Sequence, residues 1–290
     1  MEWRQFVMNL ETIDPDRIEA ALLENGALSV TLTDAGNDPV LEPAPGKTPL
    51  WKDTRITALF DASMDFERLK ASLRASLDID ELPANRMELL ADRAWEREWL
   101  KDFGPMQFGR RLWIVPGDAF MPPAGAVDVR LDPGLAFGTG THPTTAMCLE
   151  WLDGIDLAGT EIFDFGCGSG ILSVAALKLG ASHADAVDID LQAVTATRQN
   201  AERNGVQERI TAGISVPTRQ FDVVIANILA GTLVENVDLI CASLKPGGRL
   251  ALSGVLTSQV ESVRNAYQEF IDFASPVTLD EWAMLSGTRS

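Results

Sequence analysis

Residues 161–190 read E-I-F-D-F-G-C-G-S-G-I-L-S-V-A-A-L-K-L-G-A-S-H-A-D-A-V-D-I-D. Two apolar runs of strand length flank a segment of helix length, and glycine-bearing turns separate them, which predicts a β-α-β unit. A unit of this kind commits its two strands to run parallel, because the helix carries the chain back to the starting end of the sheet. The alternation continues. LQAVTATRQNAERNG predicts a helix closed by Asn204-Gly205, RITAGI (209–214) a short strand, and FDVVIANI a buried strand. LVENVDLICASLKPGG predicts a helix stopped by Pro246 and two glycines, GRLALSGVL a strand, and SQVESVRNAYQEF the final helix. From about residue 143 onward the expected fold is therefore α/β, a doubly wound, mostly parallel sheet.

The first ninety residues follow another pattern. WRQFVMNL (3–10) predicts a strand, and DPDRIEAALLENG (14–26) a helix with Asp14 at its cap, Pro15 just inside and Gly26 after its end. ALSVTLTD (27–34) alternates, with Leu28, Val30 and Leu32 expected on one face; RITALFD (55–61) alternates through Ile56, Ala58 and Phe60. Phe66, Leu69, Leu73 and Leu77 recur at helical spacing, and NRMELLAD (85–92) predicts a last strand. The order β-α-β-β-α-β is the split, ferredoxin-like α+β arrangement. Residues 1–92 are thus expected as a small recognition domain, 93–116 as a linker whose Trp95 and Trp99 share one helical face, and 117–290 as the second domain.

Chemistry-bearing residues concentrate in that second domain. Gly166, Cys167 and Gly168 form the turn after the first parallel strand, where nucleotide-like ligands sit. The dinucleotide fingerprint is G-x-G-x-x-G, and Ile171 stands where its last glycine would be, so a ligand without phosphates is expected. Asp188 lies 20 residues after Gly168 at the end of the next strand, the spacing of a ribose-binding carboxylate; Asp190, its rival, stands at a helix N-cap position. Asn227 ends the fourth strand in V-I-A-N-I-L-A, where a carboxamide oxygen can orient an incoming N–H group.

Upstream, residues 131–145 read L-D-P-G-L-A-F-G-T-G-T-H-P-T-T, a glycine- and threonine-rich stretch with no P-loop lysine. Together with D-F-G-C-G-S-G-I-L, V-D-I-D and A-N-I-L-A, it resembles the ribosomal protein L11 methyltransferase family (PrmA), within the class I S-adenosylmethionine-dependent methyltransferases with their Rossmann-like fold. The resemblance spans essentially the whole chain. It implies S-adenosyl-L-methionine as cofactor, with Thr145, Gly166, Gly168, Asp188 and Asn227 at cofactor-binding positions. It also implies that the loop of 131–145 folds over the methionine end, Thr139, Thr141 and Thr145 offering hydroxyls to the carboxylate and Phe137 covering the sulfonium. His142 is then expected to fix the loop rather than act as a base, and the sequence offers no obvious general base. The implied substrate is the basic large-subunit protein L11, methylated on lysine and N-terminal amines; another protein, a nucleic acid or a small-molecule amine is the alternative acceptor. The N-I-L-A corner lacks the aromatic that many amino-group methyltransferases place there, which disfavours a planar nucleobase.

Composition narrows the classes further. Net charge is −18, and residues 1–90 carry 17 Asp and Glu against nine Lys and Arg. That sign repels phosphate backbones and attracts a basic protein, so no direct nucleic-acid recognition is expected. Three scattered cysteines and two histidines disfavour a disulfide framework or a metal site. No apolar run approaches the roughly 20 residues of a membrane helix, and the N-terminus lacks a secretory signal pattern. A cytoplasmic monomer with no membrane association is the expectation.

Overall fold

The computed structural model of the chain describes residues 3–36, 51, 53–90, 104–117, 120–131 and 142–290. It divides into two compact units, Met1–Trp95 and Glu96–Ser290.

In the first unit the elements run β1 (Trp3–Asn9), α1 (Pro15–Glu24), β2 (Ser29–Asp34), β3 (Thr54–Asp61), α2 (Phe66–Leu77) and β4 (Asn85–Leu90). The strands form one antiparallel sheet in the order β2-β3-β1-β4. Both helices start where a carboxylate satisfies their free amides. Asp14 accepts from Asp16 N and Arg17 N, and Asp65 from Glu67 N and Arg68 N. Phe6, Met8, Ile18, Leu22, Ile56, Phe60, Leu69 and Leu73 make the buried core between helices and sheet. Leu28 departs from its expected partners: it precedes the edge strand β2 and is 59% exposed, while Val30 and Leu32 pack on the core.

The second unit opens with a three-stranded sheet of β5 (Met106–Phe108), β6 (Leu112–Pro116) and β7 (Val127–Leu131). Strands β5 and β6 fall in the stretch read from sequence as linker, and β6 pairs in parallel with β7. Trp95 and Trp99 lie outside the described residues. There follow α3 (Pro143–Gly154), β8 (Glu161–Phe165), α4 (Ile171–Lys178), β9 (His183–Val187), α5 (Leu191–Arg203), β10 (Ile210–Gly213) and β11 (Phe221–Asn227). The chain continues through α6 (Ala230–Glu235), α7 (Val237–Ala242), β12 (Leu244–Leu256), α8 (Val260–Tyr267), β13 (Ile271–Phe273), β14 (Val277–Leu279) and β15 (Trp282–Arg289).

The large sheet has the order β10-β9-β8-β11-β12-β15-β13. From β10 to β12 every pairing is parallel, whereas β15 lies antiparallel between β12 and β13. Buried on both faces, the central strands read as continuous apolar runs. Helix α4 is buried from Ile171 through Leu177, as an all-round apolar helix requires.

Two differences from the sequence reading stand out here. The helix expected over LVENVDLICASLKPGG is broken at Asn236, whose side chain donates to Thr232 O and caps α6. It ends at Ala242, and Pro246, Gly247 and Gly248 lie inside β12, where Lys245–Gly248 loop out between the pairs Phe221–Leu244 and Val223–Arg249. Beyond the expected final helix, β13, β14 and β15 close the sheet.

Candidate cofactor site

Strand β8 sits between β9 and β11, and the chain steps outward to β9 and β10 before returning to β11 on the other side. That reversal opens a crevice at the carboxyl ends of β8 and β11, the place where open parallel sheets bind ligands.

The turn leaving β8 forms one wall. Gly166 N and Cys167 N both donate to Val187 O, at 2.8 and 3.0 Å, which ties the turn to the end of β9. Gly166 has φ +80°, and a Cβ there would overlap Ile228 Cγ2, so both backbone conformation and space call for glycine. Gly168 N donates to Asp188 Oδ2 at 2.9 Å. In a dinucleotide site the amides of this turn face pyrophosphate; here a carboxylate already occupies the Gly168 amide, which agrees with the expectation of a phosphate-free ligand.

Asp188 is half-buried, and its other oxygen, Oδ1, accepts from Asp190 N at 3.0 Å. Both oxygens are thereby aimed, each with lone-pair capacity left for a diol. Asp190 instead caps α5, accepting from Gln192 N at 2.8 Å. Asp190 thus takes the N-cap position expected of it.

Asn227 and Thr145, 82 residues apart in sequence, meet directly: Asn227 Nδ2 donates to Thr145 Oγ1 at 3.2 Å. Thr145 is buried in the first turn of α3. That turn begins at His142, whose Nδ1 accepts from Thr144 N at 3.4 Å as the helix cap and contacts Thr144 Oγ1 at 2.7 Å. Trp282 packs edge-on against the His142 ring, and Ser253 Oγ of β12 donates to Thr144 O at 3.1 Å. The five residues singled out from sequence thus fall into two bonded pairs, with Gly166 joined to the second through Ile228 beside Asn227. Phe137, Thr139 and Thr141 lie outside the described residues.

Two features escaped the sequence reading. Ile189 is 99% exposed directly after Asp188, and Ile214 is exposed just after β10, whose Gly213 O accepts from Asp188 N. The signal was available in V-D-I-D, an isoleucine inside a polar strand end. Asp164, within E-I-F-D-F, is buried on β8; its Oδ2 accepts from Ser173 Oγ at 2.7 Å and Ser173 N at 3.2 Å, while Oδ1 has no partner among the described residues. Burial pushes its carboxyl up to about 6 against the lowering effect of the Ser173 bonds, with the Asp188 charge adding to the rise. The three cysteines are buried, and burial raises the Cys148 and Cys167 thiols to about 12 and Cys241 to about 11, so none is poised as a nucleophile.

A buried carboxylate oxygen with no partner among the described residues, a glycine turn, and Asp188 with an exposed isoleucine beside it are groups that fit a nucleoside carrying a cationic amino-acid tail. The comparisons with known proteins agree. The family model described as ribosomal protein L11 methyltransferase (PrmA) matches residues 2–290. A protein named ribosomal protein L11 methyltransferase from Photorhabdus laumondii is 50% identical over 292 residues, covering 100% of this chain and 99% of its own. One of the same name from Erwinia tasmaniensis is 50% identical over 294 residues, covering 100% of both. The crystal structure of ribosomal protein L11 methylase from Lactobacillus delbrueckii superposes with a TM-score of 0.61 at 30% identity, over 65% of this chain and all of that one.

Proposed function

The chain belongs to the ribosomal protein L11 methyltransferase family, a family of S-adenosylmethionine-dependent enzymes, and from that premise we propose that it methylates lysine side-chain and N-terminal amines of ribosomal protein L11. The observation that carries the reading is the pairing of Asp188 with the glycine turn, because it prepares the crevice for a nucleoside rather than a phosphate. Asp188 binds the ribose hydroxyls, Gly166 and Gly168 let the backbone approach, and Ile189 packs on the adenine face. Asp164 Oδ1 faces the positive end of the amino-acid tail, while Thr145 and Asn227 border the reacting end. S-adenosylmethionine supplies an electrophilic methyl group on a sulfonium, so the protein's work is chiefly placement and exclusion of water.

The acceptor must arrive as a free amine. At pH 7 only about one lysine in a few thousand is neutral, given its ordinary pKa near 10.4, so a site that disfavours the charged form raises the reactive fraction. Asn227 Oδ1 accepts an N–H of that amine and points its lone pair at the methyl group. The acidic first unit fits a basic protein partner, and a net charge of −18 argues against direct nucleic-acid recognition. No helix among the described residues is long and apolar enough to cross a membrane, and we read the enzyme as a cytoplasmic monomer.

Incubation of methyl-labelled S-adenosylmethionine and the enzyme with ribosomes from cells lacking it tests the proposal. Mass spectrometry is expected to find label on amines of L11 alone. Label on RNA, or on another protein, would replace the acceptor named here.

A further inference from the structure

The last glycine of the turn, Gly170, stands one place earlier than in the dinucleotide fingerprint, and helix α5 gives the reason. Gly170 has φ +76°, and a Cβ there would lie 2.8 Å from both Cγ2 and Oγ1 of Thr197, so its absence lets α5 come close. At that approach Thr197 Oγ1 donates to Gly168 O at 3.0 Å, and Asn200 Nδ2, three residues on, donates to Ser169 O at 2.8 Å. A carbonyl oxygen only accepts, so the sense of both bonds is fixed by the partner. Cys167 Sγ lies 3.4 Å from the same Thr197 oxygen. Thr197 and Asn200 are both buried, where a polar side chain without a partner is costly. Asn204, at the end of the same helix, serves another element: it accepts from Arg130 N at 2.8 Å and donates to Arg130 O at 2.7 Å, on β7.

We propose that Thr197 and Asn200 are positioning residues for the cofactor: from α5 they hold the Gly168 and Ser169 carbonyls, and so preset the backbone that receives S-adenosylmethionine. This rests on the reading of the glycine turn as a wall of the cofactor site. Gly166, Gly168 and Gly170 have φ of +80°, +53° and +76°. Glycine takes either sign of φ about equally readily, so the turn's own sequence does not hold it in one shape. The end of β9 anchors its first half, through Val187 O to the amides of Gly166 and Cys167 and through Asp188 to the amide of Gly168. Helix α5 anchors the second half through the two carbonyls. A planar, trans peptide that has its carbonyl held also has the following N–H held, in the opposite direction. Released from α5, the turn would share its time among several shapes, and apparent affinity would fall with the fraction able to bind.

The test separates presetting of the turn from general support of the fold. Thr197→Val removes the donor hydroxyl at nearly constant shape, Thr197→Ser keeps it, and Asn200→Ala removes the second donor. Asn204→Ala is the control, because it removes two bonds between the same helix and β7 without touching the turn. The dissociation constant of S-adenosylmethionine is measured by calorimetry, and the unfolding midpoint and the amide exchange of Ser169 and Gly170 are measured without cofactor. Thr197→Val and Asn200→Ala are each expected to weaken binding about tenfold and to speed exchange in the turn, with Thr197→Ser within about twofold of wild type. Asn204→Ala is expected to lower the unfolding midpoint and keep the affinity within about twofold. If Thr197→Val does not fold, Asn200→Ala set against Asn204→Ala makes the same comparison. Wild-type affinity in Asn200→Ala and in folded Thr197→Val would overturn the proposal. An equal loss in Asn204→Ala would overturn it too, because affinity would then follow the stability of the helix. Unchanged affinity in Asp188→Ala would remove the reading of the crevice and this inference with it, whereas a weakened Asp188→Ala beside unaffected Thr197 and Asn200 variants would overturn this inference alone.

Discussion

Asp164 illustrates how one residue can be unfavourable for the fold and suited to the site. Its carboxyl, buried on β8 and raised to about 6, compares with about 3.9 for an aspartate in an unfolded chain. Between those two pH values the folded protein holds a proton that the unfolded chain has lost. Stability therefore falls as pH rises through that window and stays at the lower level above it. Asp164→Asn keeps an acceptor for Ser173 and has no charge to bury. In thermal unfolding of the cofactor-free protein, Asp164→Asn is expected to exceed the wild type at pH 8 by up to about 3 kcal/mol, and by clearly less at pH 5. A difference independent of pH would show that the charge is not what matters. A buried acid that lowers stability persists where a cationic ligand rewards it, which is the part given to Asp164 Oδ1.

At the scale of elements, α3 works as a bracket with a bond at each end. Its first turn holds Asn227 and Ser253, and near its last turn the buried carboxylate of Asp153 accepts from Arg110 N at 2.6 Å and Arg111 N at 3.2 Å, with Arg111 Nε also at 3.2 Å. The turn between β5 and β6 is thereby fastened to the helix that carries Thr145. Asp153→Ala leaves those amides without their partner and is expected to lower stability by about 2–4 kcal/mol, with faster amide exchange at Arg110 and Arg111. Unchanged exchange there would mean that the hairpin docks by apolar packing alone. Elements with local signals were legible from sequence: Asp14 caps the first helix, Phe66, Leu69, Leu73 and Leu77 mark the second by their spacing, and D-F-G-C-G-S-G marks a strand-turn-helix by itself. What stayed hidden depends on partners distant in the chain. Strands β13 to β15 are short or antiparallel additions whose pairing gives no periodic signature of its own. K-P-G-G reads as a helix stop yet is absorbed as a bulge in β12, and Asp164 was hidden because an acid in an apolar run declares itself only once its burial is known.

Across the whole molecule, the chemistry and the charge are distributed differently. Each residue assigned to cofactor or acceptor belongs to the unit Glu96–Ser290, whereas residues 1–90 have a net charge of −8 and carry none of them. The strand order, the reversal at β8, the glycine turn and the acid after β9 converge on one crevice, and Asp188 is the residue they share. Its position at this edge was readable because spacing along consecutive β-α units fixes which residues reach one edge of a parallel sheet. The bond that joins Asn227 to Thr145 was not, since it spans elements with no such fixed spacing. The most direct test is a calorimetric titration of S-adenosylmethionine into the wild-type protein and into Asp188→Ala. Two hydrogen bonds to a charged acceptor, at about 1.5 kcal/mol or more each, predict a loss of affinity of about 100-fold or more. Equal affinity for the two proteins would contradict the assignment of this crevice as the cofactor site.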